Sequence, residues 1–340
     1  MIIASPDGAN RISLVRPRLD TKPWGGHALQ AFGMAVSDDE TIGEALVTAN
    51  DAVVSAGFGA GKTLGEIVAS DPVRFLGEGA LAKVGGRPLF PLLVKLIDAN
   101  DDLSIQVHPN DDQAAAWERP GKTEAWYVLR AQPESKLYLG LLKPSDLEGF
   151  VAAADRLDGS SANHLRAIVA TEGSTYLLPA GTVHALGAGV MVYEIQQPSD
   201  ITFRLDDWGR VDANGQPREM HRDQGLAVLR PELQPVAIES VKIIGQPQER
   251  SVLVATKFFA LERWRWMERS NAGLPDSVGP QVITVLSGSL ELGAFYLETG
   301  ETGVVWPGTS MVRIASENAV MLRGWVPDAS DTFSIEGGTP

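Results

Sequence analysis

Gln106, His108, Glu124 and His184 are the residues whose types and spacing suit metal chemistry. Side chains repeat on one face of a strand every second residue. An extended LSIQVH segment (103–108) therefore sets Ser104, Gln106 and His108 on one face and Leu103, Ile105 and Val107 on the other. In KTEAWYVL (122–129) the same rule groups Lys122, Glu124 and Trp126. If these strands pair, an amide oxygen, an imidazole and a carboxylate converge, and the tight turn of PAGTVH (179–184) offers a fourth donor at His184. Such a nitrogen and oxygen set suits a divalent ion such as zinc, one per chain. Two His, one Gln and one Glu carry a single negative charge, so the bound ion stays net positive. It can then polarise a carbonyl or hydroxyl, or acidify a bound water.

The elements that must hold these residues read as short strands. RISLV (11–15) and TIGEALVTA (41–49) have strand character, with a turn expected between them at KPWGG, where Trp24 beside two glycines is placed to rim a pocket. FPLLVKLIDAN (90–100) is a buried strand leading into LSIQVH, interrupted only by Lys95. Lysine is costly to bury unpaired, so Lys95 either snorkels outward or serves a polar cavity beside the metal. VMVYEIQQ puts Glu194 and Gln196 on one face, and ITFRLDDW puts Thr202, Arg204 and Asp206 on one face, the last two being a possible ion pair. Helices are expected over 61–77, ending near Gly77, over SDLEGFVAAADRL, over NHLRAIVAT with a surface His164, and over 219–229. GKT at 61–63 has the wrong glycine spacing for a phosphate loop and reads as a helix start. Beyond a Pro-rich stretch, strands and turns resume without any histidine. The expected division is a metal-binding domain over 1–235 and a degenerate, metal-free β domain over 236–340.

Length and composition agree with that outline. A chain of 340 residues with 44% apolar content can fill two cores, and 21 prolines with 35 glycines between short apolar runs favour a turn-rich β protein. The absence of cysteine excludes disulfides, thiolate catalysis and Cys-ligated metals. A formal charge of −14 opposes binding to nucleic acid or to anionic membranes. No apolar run approaches the ~18–20 residues of a membrane span, and MIIASPDGANR lacks the layout of a signal peptide. A cytoplasmic location is expected.

PAGTVH matches the Pro-x-Gly-x-x-His turn of cupin β-barrels. Together with KPWGG, TIGEALVTA, LSIQVHPND, GKTEAWYVL and YEIQQPSDITFRLDDWGR, it makes the chain resemble the type I mannose-6-phosphate isomerases in their short bacterial form. The resemblance is close through about residue 210 and fainter beyond. It implies two cupin-like jelly-roll barrels, the second without a metal site, and zinc on Gln106, His108, Glu124 and His184. It further implies an active-site Arg204 with Glu194 and Lys122, substrate or phosphate contacts at Ser104 and Arg210, and the polar-cavity role for Lys95. The large helical insertion of longer members has no room here.

The activity so implied is interconversion of mannose 6-phosphate and fructose 6-phosphate through an enediol. The small-molecule partner is a sugar phosphate, and the chain is expected as a monomer or homodimer. The rivals are an isomerase of another sugar phosphate, a non-catalytic metal-cupin that binds or senses one, and a cupin oxygenase. Gln among the ligands argues for zinc over the oxygenase's iron.

Overall fold

The computed structural model describes residues 11–211, 214–244, 248–309 and 313–328. The chain is mainly β, folded as two pairs of antiparallel sheets with short helices between strands. The site-bearing pair has a seven-stranded sheet in the order Ala237–Ile238, Thr175–Leu178, Glu124–Ala131, Val190–Gln196, Leu93–Ala99, Ile42–Thr48, Arg18–Gly26. Facing it is a five-stranded sheet ordered Phe203–Asp206, Ile105–Val107, His184–Leu186, Lys136–Leu141, Leu165–Val169. Trp126, Val128, Tyr176 and Val192 from the larger sheet pack on Leu137, Leu139 and Leu186 from the smaller.

The second pair sets an eight-stranded sheet against a four-stranded one. Two strands near the start of the chain, Ile12–Val15 and Val54–Gly57, belong to that eight-stranded sheet. Ile12–Val15 pairs with Thr302–Val305 on one side and Val54–Gly57 on the other. Hydrogen bonding thus runs across the expected division at 235/236.

The two large sheets also pack on each other. Val94, Leu96, Ala125, Tyr127, Tyr193 and Ile195 meet Leu253, Leu261, Val282, Val304 and Leu322 in one core. Hence every residue of Val190–Gln196 is buried, and the strands read as continuous apolar runs rather than alternating ones. Each such Leu, Ile or Val contributes roughly 1.5–3 kcal/mol by leaving water.

Three expectations about local structure are corrected. NHLRAIVAT forms a turn of 3-10 helix, Ser160–His164, followed by the edge strand Leu165–Val169. Its burial alternates as a half-covered strand requires, and His164, partly buried, donates from Nδ1 to Asp146 Oδ2 at 2.7 Å. The 61–77 stretch makes two helices, Leu64–Ser70 and Pro72–Lys83, because Asp71 caps the second with Pro72 in its first turn. Gly77, at φ 72°, interrupts that second helix rather than ending it. KPWGG is the end of the Arg18–Gly26 strand and not a separate turn. Lys62 precedes Thr63, whose side chain forms a capping box with Glu66. Among the described residues no helix is long and apolar enough to cross a membrane.

Candidate metal centre and active site

Two loops bring the ligand strands together. Asn110 caps the short Asp111–Ala114 helix after His108, and Gly121 lies so close to Asn110 that a Cβ there would sit 2.5 Å from its backbone. Gly121 N–H donates to Asp111 Oδ1 at 2.8 Å, and Lys122 N–H donates to Pro109 O at 2.9 Å. The PAGTVH turn closes through Thr182, whose N–H and Oγ1 both donate to Pro179 O. Gly181 takes φ 92°, where only glycine is unstrained, and its N–H donates to His108 O at 2.8 Å. His184 then pairs directly with Gln106 across the strands.

His108, Glu124 and His184, all buried, have ligand atoms within 4.8 Å of one another. His108 donates from Nδ1 to Ile201 O at 2.8 Å, and His184 from Nδ1 to Thr182 O at 2.9 Å. A carbonyl can only accept, so these bonds fix the tautomer and leave both Nε2 atoms unprotonated, with their lone pairs turned into the cluster. Burial holds the His108 imidazole well below its usual pKa, helped by Lys122, and burial takes His184 down to about 4. Both rings are therefore neutral, as ligands must be. Glu124 Oε1 lies 3.2 Å from His184 Nε2, and Oε2 lies 3.5 Å from His108 Nε2. Both carboxylate oxygens are buried without a hydrogen-bond partner. A buried carboxylate left so, facing two unprotonated imidazole nitrogens, fits a cation and little else. Lys122 brings one: its Nζ stands 2.9 Å from Glu124 Oε2 and 3.0 Å from His108 Nε2.

Gln106 completes the cluster, its Nε2 lying 3.3 Å from His184 Nε2. Ser104 is buried, and its hydroxyl donates to Gln106 Oε1 at 3.2 Å. Glu194 pairs in register with both Trp126 and Lys95. Trp126 Nε1 donates to Glu194 Oε2 at 2.9 Å, while Oε1 is buried and has no partner. Burial and then the nearby Glu124 push the Glu194 carboxyl above its usual pKa. Lys95 does not snorkel, its side chain being 20% exposed and its Nζ 3.4 Å from Glu44 Oε2.

The arginines gather nearby. Arg204 stands opposite Gln106 across the strands and donates from Nη1 to Glu219 O at 2.6 Å, with its Nε buried and unpartnered. Arg210 donates to Asp102 O and its Nη1 lies 3.7 Å from Asp207 Oδ1, with neither Nε nor Nη1 in a hydrogen bond. Burial, followed by the charge of Arg218, lowers the Arg204 pKa. The expected Arg204–Asp206 pair is absent among the described residues. A register shift separates the two, and Asp206 instead accepts from Gly159 N, Ser161 Oγ and Trp208 N. Asp207 is the arginine-pairing carboxylate instead, accepting from Arg218 Nε at 2.7 Å and Nη2 at 2.5 Å. Arg218 lies 4.9 Å over the ring of Trp24, which is 6% exposed and so buried beneath it rather than standing at a rim. Arg218, Asp207, Glu44 and Lys22 were not singled out from sequence; the first follows a turn, and the others carry no spacing signal.

Comparison with known proteins agrees with this geometry. Residues 14–136 match the family described as phosphomannose isomerase type I, catalytic domain. The probable mannose-6-phosphate isomerase GmuF of Bacillus subtilis (strain 168) is 36% identical over 287 residues, covering 81% of this chain and 85% of that one. The crystal structure of the mannose 6-phosphate isomerase from Bacillus subtilis superposes with a TM-score of 0.80 at 26% identity, over 93% of this chain and 100% of that one. A mannose 6-phosphate isomerase solved bound with zinc and yttrium shares the fold at a TM-score of 0.68 and 16% identity, over 93% of this chain and 99% of that one. On the relatives' identity and extent, this chain belongs to the type I phosphomannose isomerase family.

Proposed function

We propose that the chain is a zinc-dependent aldose–ketose isomerase that interconverts mannose 6-phosphate and fructose 6-phosphate. The observation that carries this reading is the cluster of the buried Glu124 carboxylate with two neutral imidazoles, in which neither carboxylate oxygen has a hydrogen-bond partner and Oε2 has only the Lys122 ammonium beside it. It stands beside a second carboxylate, Glu194, with one free oxygen. His108, Glu124, His184 and Gln106 would hold the ion, the Gln106 amide using its oxygen after a half-turn. When bound, zinc supplies a positive centre that polarises a sugar oxygen.

The chain's own residues carry the proton work. Glu194, buried and pushed toward higher basicity, takes the proton from C2 of the aldose on Oε1 and returns it to C1, while the O2 proton passes to O1. Trp126 Nε1 fixes the other oxygen and so aims the free one. Lys122 and Arg204 stabilise negative charge on the enediolate oxygens. Arg210 and Arg218, which carry two charges against the one of Asp207, together with Ser104 form the anchor for the 6-phosphate. This local cationic cluster supports binding of a dianion by a chain whose formal charge is −14. Trp24 supports this anchor from beneath Arg218, and Lys95 adds positive charge beside Glu194.

The test is turnover of mannose 6-phosphate to fructose 6-phosphate in a coupled assay, before chelation, after it, and after zinc is restored. Chelator-sensitive turnover that zinc restores is expected. Stoichiometric zinc without turnover would reject the substrate assignment and favour another sugar phosphate or a binding protein.

A further inference from the structure

A row of alternating charges crosses the seven-stranded sheet from its edge to the site. Lys22 Nζ lies 3.3 Å from Glu44 Oε2, and Lys95 Nζ lies 3.4 Å from the same oxygen. Lys95 is in turn the direct cross-strand partner of Glu194. A buried ammonium seeks the best carboxylate in reach, and three act on Lys95: Glu44, Glu194 and Glu124. Among the described residues, Glu44 is the only carboxylate within 4.0 Å of its Nζ. Glu194 is left with one oxygen on Trp126 and the other free.

We propose that Glu44 is a positioning residue that draws the Lys95 ammonium away from Glu194 and so keeps Glu194 Oε1 available to the sugar. The inference rests on the isomerase reading and adds to it a reason for the carboxylate two strands away from the base. Lysine at 95 keeps the cavity cationic for the substrate, but an ion pair with Glu194 would occupy the oxygen that moves the proton and weaken it as a base. Glu44 resolves that conflict by being the closer partner. Lys22, on the same oxygen, keeps the Glu44 carboxylate charged and in place, since Lys95 and Lys22 together outweigh the penalty of its burial.

The experiment compares wild type, Glu44→Gln, Lys95→Met and the double variant, with zinc content and melting temperature measured for each. Glu44→Gln is expected to lower kcat by roughly 10- to 100-fold, short of the full loss of a general base, while KM changes by less than about threefold and zinc content stays the same. In the Lys95→Met background the same change at Glu44 is expected to alter kcat by less than about twofold, since the ammonium that Glu44 holds is gone. A crystal structure of Glu44→Gln should show Lys95 Nζ moved onto Glu194. Lys95 unmoved in that structure, near-normal kcat in Glu44→Gln, or an equal loss in both backgrounds would each overturn the proposal. Wild type inert toward mannose 6-phosphate would overturn the isomerase reading itself, and is seen before any variant is compared.

Discussion

Stripping the metal with a chelator and lowering the pH from about 7.5 to about 4.5 puts the two buried imidazoles in competition with the unfolded chain for protons. In the fold His184 protonates only near pH 4, against about 6.5 in the unfolded chain. Above pH 6.5 both states are neutral and the group contributes nothing to pH dependence. Between 6.5 and about 4 the unfolded state binds a proton that the folded state excludes, so stability falls by about 1.4 kcal/mol per pH unit. Across that window His184 alone removes about 3 kcal/mol, a large share of the 5–15 kcal/mol typical of a folded domain. His108, held well below its usual pKa by burial and by Lys122, acts in the same direction. The assay is urea unfolding of chelated wild type and chelated His184→Asn at half-unit pH steps. His184→Asn is the less stable protein at pH 7.5, having lost its packing, and the gap should narrow by roughly 2–3 kcal/mol at pH 4.5. A gap that stays constant with pH would refute the buried neutral imidazole. With zinc restored the dependence should steepen, because metal and proton then compete for the same Nε2 atoms.

Other residues give sharper tests of single roles. Arg204→Ala should lower kcat by about 10²–10³ with zinc and melting temperature retained; near-normal turnover would reduce Arg204 to its bond with Glu219 O. Arg218→Ala should raise KM about 10- to 100-fold and weaken inhibition by inorganic phosphate in parallel, the loss of one charge-assisted contact. Unchanged phosphate inhibition would remove Arg218 from the anchor. Trp126→Phe deprives Glu194 of its only hydrogen-bond donor among the described residues, so the acidic limb of the kcat profile should move to higher pH. Glu262→Gln should destabilise by about 3–5 kcal/mol, measured by urea unfolding, because its carboxylate binds both Arg250 and Arg323 in a buried network. Turnover by the folded fraction should stay at the wild-type level, as that network lies in the second sheet pair.

How much of this was legible from sequence depends on the range over which each residue acts. The clustering of His108, Glu124 and His184 was legible because its geometry is local: Ser104, Gln106 and His108 follow the two-residue period of a strand, and Gly181 marks the turn that delivers His184. Lys95 was half legible. Its place in an apolar run showed that it was a costly lysine, but only the pairing of Leu93–Ala99 with Ile42–Thr48 reveals the Glu44 that accompanies it. Glu44 itself sits in TIGEALVTA, a segment readable as a strand, where nothing local separates a carboxylate facing water from one facing a cavity. Arg218 was invisible for the same reason, since its partner Asp207 lies eleven residues back. Asp206 was misread because period-two reasoning fails at the register shift between Arg204 and Asp206. NHLRAIVAT was misread because alanine and leucine favour helix, while pairing with Lys136–Leu141 makes its end a strand.

The placement of the N-terminal strands follows from what the site demands of the seven-stranded sheet. One face of that sheet carries Glu44, Lys95, Glu194 and Glu124, a set of charges mostly removed from water and therefore expensive to hold in register. A sheet open to solvent on its other face could relieve that expense by twisting or shifting strands apart. Here the other face is closed by the eight-stranded sheet through a continuous apolar core, and Tyr193, the neighbour of Glu194, reaches across it to Thr284 Oγ1 at 3.3 Å. A one-residue slip of Val190–Gln196 would bury Glu194 in that core and turn Tyr193 onto the His108–Glu124–His184 cluster, so the core penalises the error twice. Because Ile12–Val15 and Val54–Gly57 lie within the second sheet while Arg18–Gly26 and Ile42–Thr48 lie within the first, the chain is stitched between the two layers before the site strands begin. The second sheet pair needs no metal ligands to serve catalysis, since its contribution is the rigidity against which the charged face is held.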